Sequence, residues 1–249
     1  MIGVILAAGR GRRLSRDIDL DKIGPKCLLP VNGCTLLERM VADLASSGVD
    51  AVIIVAGYKR HVVLDACRAL ESRYGIEVRL AYNWDYARTN TAYSLDIGLA
   101  DVDEDVVVFN GDMLYDYAIL RELLDIRRTA IVVDNRKPLT NESFKLRVVD
   151  SRIEEMGKHV PIEEATGEFI GISKIAKIDL DRAKRLLKVL IADDLNNYYD
   201  FIYKSLSQDG SLAYLYTNGR PWTEIDDIHD YEYAECIAGM SDGTRGQIQ

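Results

Sequence analysis

Residues 1–30 read MIGVILAAGRGRRLSRDIDLDKIGPKCLLP, and the fold is decided there. Ile2, Val4, Ile5 and Leu6 form an apolar strand that runs straight into Ala7-Ala8-Gly9 and then into the basic loop Arg10-Gly11-Arg12-Arg13. A buried strand that opens into a small, basic loop offers backbone N–H groups and guanidinium forks to one anion. Ala and Gly at that point let the backbone approach a flat base or a phosphate closely. Pro25-Lys26 then precedes a second apolar turn, Leu28-Leu29-Pro30. The outline is that of a nucleoside triphosphate site, but neither the Walker pattern nor a third glycine for the dinucleotide fingerprint is present.

Working outward, strand and helix alternate through the first half. Thr35 with Glu38 three residues later is a capping box that opens an amphipathic helix closed by Gly48. Strands are predicted over 51–56, 76–82, 106–109 and 130–133, with helices over 59–73, 91–99 and 117–124 between them. Such βαβ alternation predicts an α/β Rossmann-like fold with a mostly parallel central sheet and helices on both faces. The second half changes character. A β-hairpin is expected over 144–149 and 152–156, strands over 168–172, 212–216 and 222–225, helices over about 181–191 and 194–206, and a closing helix over 228–238. Residues 1–240 read as a single domain and 241–249 as a frayed tail.

Composition narrows the classes. A net charge of −9 argues against nucleic acid as a partner, although local arginines still set a local field. Four cysteines without a C-x-x-C and three histidines without ligand spacing argue against a disulfide scaffold and a zinc site. No apolar run approaches the ~18 residues needed to span a membrane, and no signal peptide is visible. A reduced, cytoplasmic setting is expected.

Two blocks, Leu6-Ala7-Ala8-Gly9-Arg10-Gly11-Arg12-Arg13-Leu14 and Pro25-Lys26-Cys27-Leu28-Leu29-Pro30, resemble the N-terminal signature of the sugar-phosphate and alcohol-phosphate nucleotidyltransferases. The segment Thr89-Asn90-Thr91-Ala92-Tyr93-Ser94-Leu95 lacks the G-T-A block of the glucose-1-phosphate branch. It resembles instead the cytidylyltransferases acting on phosphocholine and on 2-aminoethylphosphonate, as do the stretches 167–172 and 198–200. The resemblance implies CTP and a small phosphorylated acceptor as partners and Mg2+ as cofactor. It leaves a homodimer open and involves neither nucleic acid nor membrane.

Candidate residues follow. Leu6, Ala7, Ala8, Gly9, Arg10, Gly11, Asn90 and Gly111 are expected to bind the nucleotide. Lys26 is the point charge for the α-phosphate, and Arg13 the fork for the departing pyrophosphate. Asp112 leaves a buried strand beside Gly111, where open α/β sheets place ligands, and suits a magnesium ion. Read alone, it is equally a plain strand–helix turn. In Trp222-x-Glu224-Ile225-Asp226-Asp227, the resemblance gives Asp226 the second metal position and leaves Asp227 to cap the last helix. Without the resemblance, this acidic run reads as capping alone. For the acceptor, Arg88, Tyr93, Arg136, Lys145, Tyr199 and Trp222 are expected, with Arg147 a further cation; each basic side chain could equally be a solvated surface charge. Alternative readings are a sugar-1-phosphate uridylyl- or thymidylyltransferase and a GT-A-type glycosyltransferase, the latter lacking its D-x-D.

Overall fold

The computed structural model describes residues 1–245. Strand β1 (Ile2–Ala7) lies near the centre of the main sheet. It pairs in parallel with β2 (Ala51–Ala56) on one side and with β4 (Val106–Asn110) on the other; β3 (Glu77–Tyr82) extends the parallel set beyond β2. β1 and β2 are apolar throughout because both faces are covered. Ile5, Ala7, Val52 and Ile54 pack against α1 (Leu36–Ser46), α2 (Arg60–Tyr74), α4 (Tyr117–Asp125) and α7 (Ile228–Arg245). Val4, Leu6, Ile53 and Val55 pack on the other side against α3 (Thr91–Gly98), α5 (Lys177–Asp193) and α6 (Phe201–Leu206).

The long strand β9 (Gly167–Ile175) runs antiparallel to β4 and carries the sheet outward to the hairpin β7 (Lys145–Val149) and β8 (Arg152–Gly157). That hairpin turns through Asp150 and Ser151, both at positive φ, as its expected position requires. β6 (Ala130–Asp134) pairs with β9 and, in parallel, with β10 (Ala213–Tyr216). The Rossmann-like class expected from the sequence holds, with a parallel half built around β1 and an antiparallel extension built around β9.

Two departures from the sequence reading shape the site. First, Met113–Tyr115 forms an unforeseen strand, β5, which pairs antiparallel with β11 (Trp222–Glu224) outside the main sheet. Second, the helix expected over 194–206 exists only as Phe201–Leu206. Asp194 breaks the path with an Asx turn, its Oδ1 accepting from Asn196 N at 2.8 Å, and Asn197 Nδ2 closes α5 by donating to Leu190 O at 2.9 Å. Residues 194–200 therefore form a loop. The expected frayed tail is helical as far as Arg245, and residues 246–249 lie outside the described residues. Among the described residues no helix is long and apolar enough to cross a membrane.

Candidate active site at the carboxyl ends of β1 and β4

A cavity of about 410 Å³ opens where β1 and β4 end side by side. Its inner wall is Leu6, Ala7, Ala8, Gly9 and Gly11 from the first loop and Asn110-Gly111-Asp112 from β4. Gly111 has no substitute there: a Cβ on it would sit 2.6 Å from Leu6 O. Gly11 adopts φ +62, a left-handed turn that lays the loop against the stem of Lys26.

Asp112 and Asp226 are brought together by the β5·β11 ladder. Trp222 lies opposite Tyr115 and Glu224 opposite Met113, and Ile225 N donates to Asp112 O at 3.0 Å. Glu224 and Asp226 are two residues apart on extended chain, so they face the same side. Ligand oxygens of Asp112, Glu224 and Asp226 lie within 4.8 Å of one another. Asp227 instead caps α7, its Oδ1 accepting from His229 N at 2.9 Å and Asp230 N at 3.0 Å.

Cations interleave with these carboxylates. Lys26 Nζ donates to Asp112 Oδ2 at 2.8 Å and to Asp226 Oδ1 at 2.7 Å, and Arg13 Nη2 donates to Asp226 Oδ2 at 2.5 Å. Burial alone would weaken the hold of Lys26 on its proton; the carboxylates of Asp112, Asp226 and Glu224 more than reverse this, so its proton affinity is raised. Burial likewise pushes the Asp226 carboxyl up, but Lys26 and Arg13 outweigh it and leave the group below the ordinary carboxylate range. Glu224 makes no ion pair among the described residues, and the attraction of Lys26 does not outweigh burial and the neighbouring carboxylates. Glu224 stands at the floor of the cleft, open to solvent yet walled by protein and by Asp112 and Asp226, and it is pushed well above the usual range. Lys158, at the end of β8, lines the same cavity and donates to Glu142 Oε2 at 2.7 Å; Arg13 approaches that oxygen at 3.8 Å.

The far end of the cavity is acidic and aromatic. The 194–200 loop brings Tyr198 and Asp200 into its wall beside Phe144, Phe169, Glu168 and Trp222. Asp200 is buried, its Oδ1 has no hydrogen-bond partner among the described residues, and burial pushes its carboxyl up to about 7. Burial also raises Glu168.

The expected residues are distributed as follows. Arg13, Lys26, Asn90, Gly111, Asp112, Trp222, Asp226 and the 6–9 and Gly11 backbone all line the cavity. Asn90 does so as the N-cap of α3, its Oδ1 accepting from Thr91 N at 2.9 Å. Arg10 does not: its guanidinium lies over the rings of Tyr86 and Tyr58, at 5.4 and 5.7 Å from their centroids. Six of the residues expected to meet the acceptor are elsewhere. Lys145 is buried with its ammonium on Thr140 O and Ser143 O, both at 3.1 Å, so it shapes the neighbouring loop. Tyr199 points into the core, edge-on to Phe169 and Tyr203. Arg88 and Arg136 are exposed, and Tyr93 is half-buried on α3, all outside the wall. Arg147 pairs with Glu154 at 3.3 Å.

The sequence reading missed Glu224, Lys158, Asp200 and Asn83. Period-two spacing from Asp226 was a usable signal for Glu224. Asn83 is buried and donates to Thr89 Oγ1 and Ser94 Oγ, each at 3.0 Å, bracing the wall under the first loop.

The ends of the parallel strands thus gather the guanidinium of Arg13, the ammonium groups of Lys26 and Lys158 and a trio of carboxylates around one cavity. The chain belongs to the MobA-like NTP transferase domain family, whose model matches residues 3–156. It is 28% identical to the bifunctional IPC transferase and DIPP synthase of Rubrobacter xylanophilus, covering 98% of this chain but 54% of that protein, so the chain spans about half the length of that relative. It is 26% identical to the CTP:phosphoglutamine cytidylyltransferase of Campylobacter jejuni, over 93% of this chain and 98% of the relative. Its fold matches the solved CTP:phosphocholine cytidylyltransferase of Streptococcus pneumoniae with a TM-score of 0.75 at 24% identity, over 95% of this chain and 99% of that one.

Proposed function

We propose that the protein is a cytidylyltransferase: it joins CMP from CTP to a small acceptor that carries a phosphate or phosphonate at one end and a cationic group at the other. The observation that carries this reading is the charge pattern of the cavity at the ends of β1 and β4. Six carboxylates and four basic side chains line it, so an anionic pair of substrates is accommodated only if further positive charge enters with them. A divalent ion and a cationic acceptor both supply it.

The carboxylate trio suits Mg2+. All donors are oxygens, and Asp112 Oδ1 is buried without a partner among the described residues. Asp112 and Asp226, with Glu224 beside them, would hold the ion, which when bound neutralises phosphate charge. The chain's own residues do the rest. The 6–11 loop and Gly111 receive the nucleotide closely, over the wall braced by Asn83. Lys26 offers its ammonium to the α-phosphate, and Arg13 its fork to the departing pyrophosphate. Lys158, on the acceptor side, replaces the cations expected from sequence as the acceptor's phosphate partner. Asp200 and Glu168, among Phe144, Phe169 and Tyr198, face its cationic end. The acceptor's anionic oxygen attacks the α-phosphorus, the new P–O bond forms, and the bond to the bridging oxygen of pyrophosphate breaks. No general base is needed because the nucleophile is already ionised, and catalysis is positioning with charge neutralisation.

A pyrophosphate-release screen over four nucleoside triphosphates and a panel of phosphorylated amines and alcohols tests the reading. CTP with an amine-bearing acceptor should lead. Faster release with UTP or dTTP at equal concentration, or preference for an uncharged sugar phosphate, would overturn it.

A further inference from the structure

Lys26 sits where a metal would. Its Nζ bridges Asp112 Oδ2 and Asp226 Oδ1 at 2.8 and 2.7 Å, two of the three carboxylates whose oxygens converge within 4.8 Å. Its side chain is only 10% exposed, and Arg13 holds the second oxygen of Asp226. Both oxygens of Asp226 are therefore engaged. A divalent ion placed on these carboxylates would meet an ammonium at contact distance with little solvent between them, where repulsion is weakly screened.

The way out for Lys26 is also visible. Its backbone is fixed in the turn Lys26–Leu28, with Cys27 and Leu28 buried and Leu29 N donating to Lys26 O at 3.0 Å. The ammonium is carried on a four-carbon stem that lies against Gly11, at the loop assigned to the nucleotide. It can change partners without the main chain moving.

We infer that Lys26 is the resident cation of the carboxylate trio, and that it excludes divalent ions from the nucleotide-free protein until phosphate oxygens draw its ammonium away. The inference rests on the metal-dependent reading above. One lysine then has two successive sets of partners, carboxylates before the nucleotide arrives and phosphate afterwards. The carboxylates become available to the metal only when the triphosphate is in place, so ion and nucleotide enter together.

The test is Mn2+ binding to the full chain without nucleotide, followed by calorimetry and by the EPR signal of free ion. Lys26→Met should bind Mn2+ at least about tenfold more tightly than wild type, and Asp112→Asn in the Lys26→Met background should remove the gain. Arg13→Met deletes a charge beside the same Asp226 but no bridge, and should change affinity by less than about threefold. Lys26→Gln, which keeps a donor for one carboxylate, replaces Lys26→Met if that variant does not fold. Equal tightening in the Lys26 and Arg13 variants would reduce the effect to general charge and overturn the inference. Tight, Asp112-dependent Mn2+ binding by nucleotide-free wild type would overturn it too, while leaving the metal site standing. No Asp112-dependent binding in either Lys26 variant would overturn the metal site and the inference together.

Discussion

The two ends of the cavity treat charge in opposite ways. At the β1–β4 end most charges are paired within the chain, Lys26 with Asp112 and Asp226, Arg13 with Asp226 and Lys158 with Glu142, while Glu224 stands beside them. At the aromatic end, Asp200 is buried with an unpartnered oxygen and a proton affinity raised to about 7, and Glu168 is raised as well. A buried polar atom without a partner is costly in any protein and persists mainly where something else supplies the partner. Under the proposed function the paired end would exchange its internal ion pairs for a triphosphate and a metal. Under the proposed function the unpaired end would receive the acceptor's cationic group, with Lys137, 4.7 Å from the centre of the Trp222 ring, the chain's own cation close by.

The largest expected effect tests the paired end. Asp112→Asn and Asp226→Asn should each abolish pyrophosphate release at ordinary magnesium, and the double variant should be scarcely worse, because two ligands of one ion act as a unit. Clearly additive losses would separate them. Next, Lys26→Ala should lower kcat by roughly 10²–10³, the scale of one preorganised electrostatic donor, with the fold retained by circular dichroism. An active variant would remove Lys26 from the reaction.

The unpaired end should give a smaller effect with a pH signature. Below about pH 7 Asp200 carries its proton and cannot balance a cation; above it, the carboxylate can. The kcat/KM for an amine-bearing acceptor should therefore rise as pH increases through about 7. Asp200→Asn should flatten that limb and lower the plateau about tenfold, consistent with losing one charge-assisted contact. Stability should move the other way. A carboxyl whose folded pKa is raised stabilises the fold most below its unfolded pKa, and that contribution is lost as pH rises through the folded value. Asp200→Asn should thus raise Tm at pH 8 more than at pH 4. A wild-type profile flat from pH 6 to 8 would break the contrast between the two ends. The smallest effect belongs to Asp227→Asn, since Asn caps helices as well as Asp does; a loss of activity beyond about threefold would show that Asp227 does more than cap α7.

What could be read in advance follows the same division. The paired end comes from residues at the ends of apolar strands and from two short blocks near the first of them, so strand patterning together with the resemblance of those blocks singled out Lys26, Arg13 and Asp112, and all three line the cavity. The unpaired end is assembled from the tip of one loop and the ends of a hairpin. Tyr198, Tyr199 and Asp200 are consecutive, and which of them faces the cavity depends on an Asx turn at Asp194 that shortens a helix by a full segment. Periodicity does not register such a turn when apolar residues continue on both sides. Lys145 misled for a related reason. A lysine at the start of a strand, next to a loop, looks free to meet an anion, but here its stem turns inward and ties the loop's carbonyls together.

The short ladder between Met113–Tyr115 and Trp222–Glu224 has a consequence for synthesis. Asp112 leaves the ribosome nearly half a chain length before Asp226 does. The parallel strands that position Asp112 can assemble in the meantime, but the second and third carboxylates of the trio arrive on β11 and just after it, with α7 still to come. A nascent or prematurely terminated chain thus presents Asp112 with Lys26 beside it but without Glu224 and Asp226. The carboxylate trio is complete only when β11 docks on β5, so a chain that stops before Trp222 cannot assemble it.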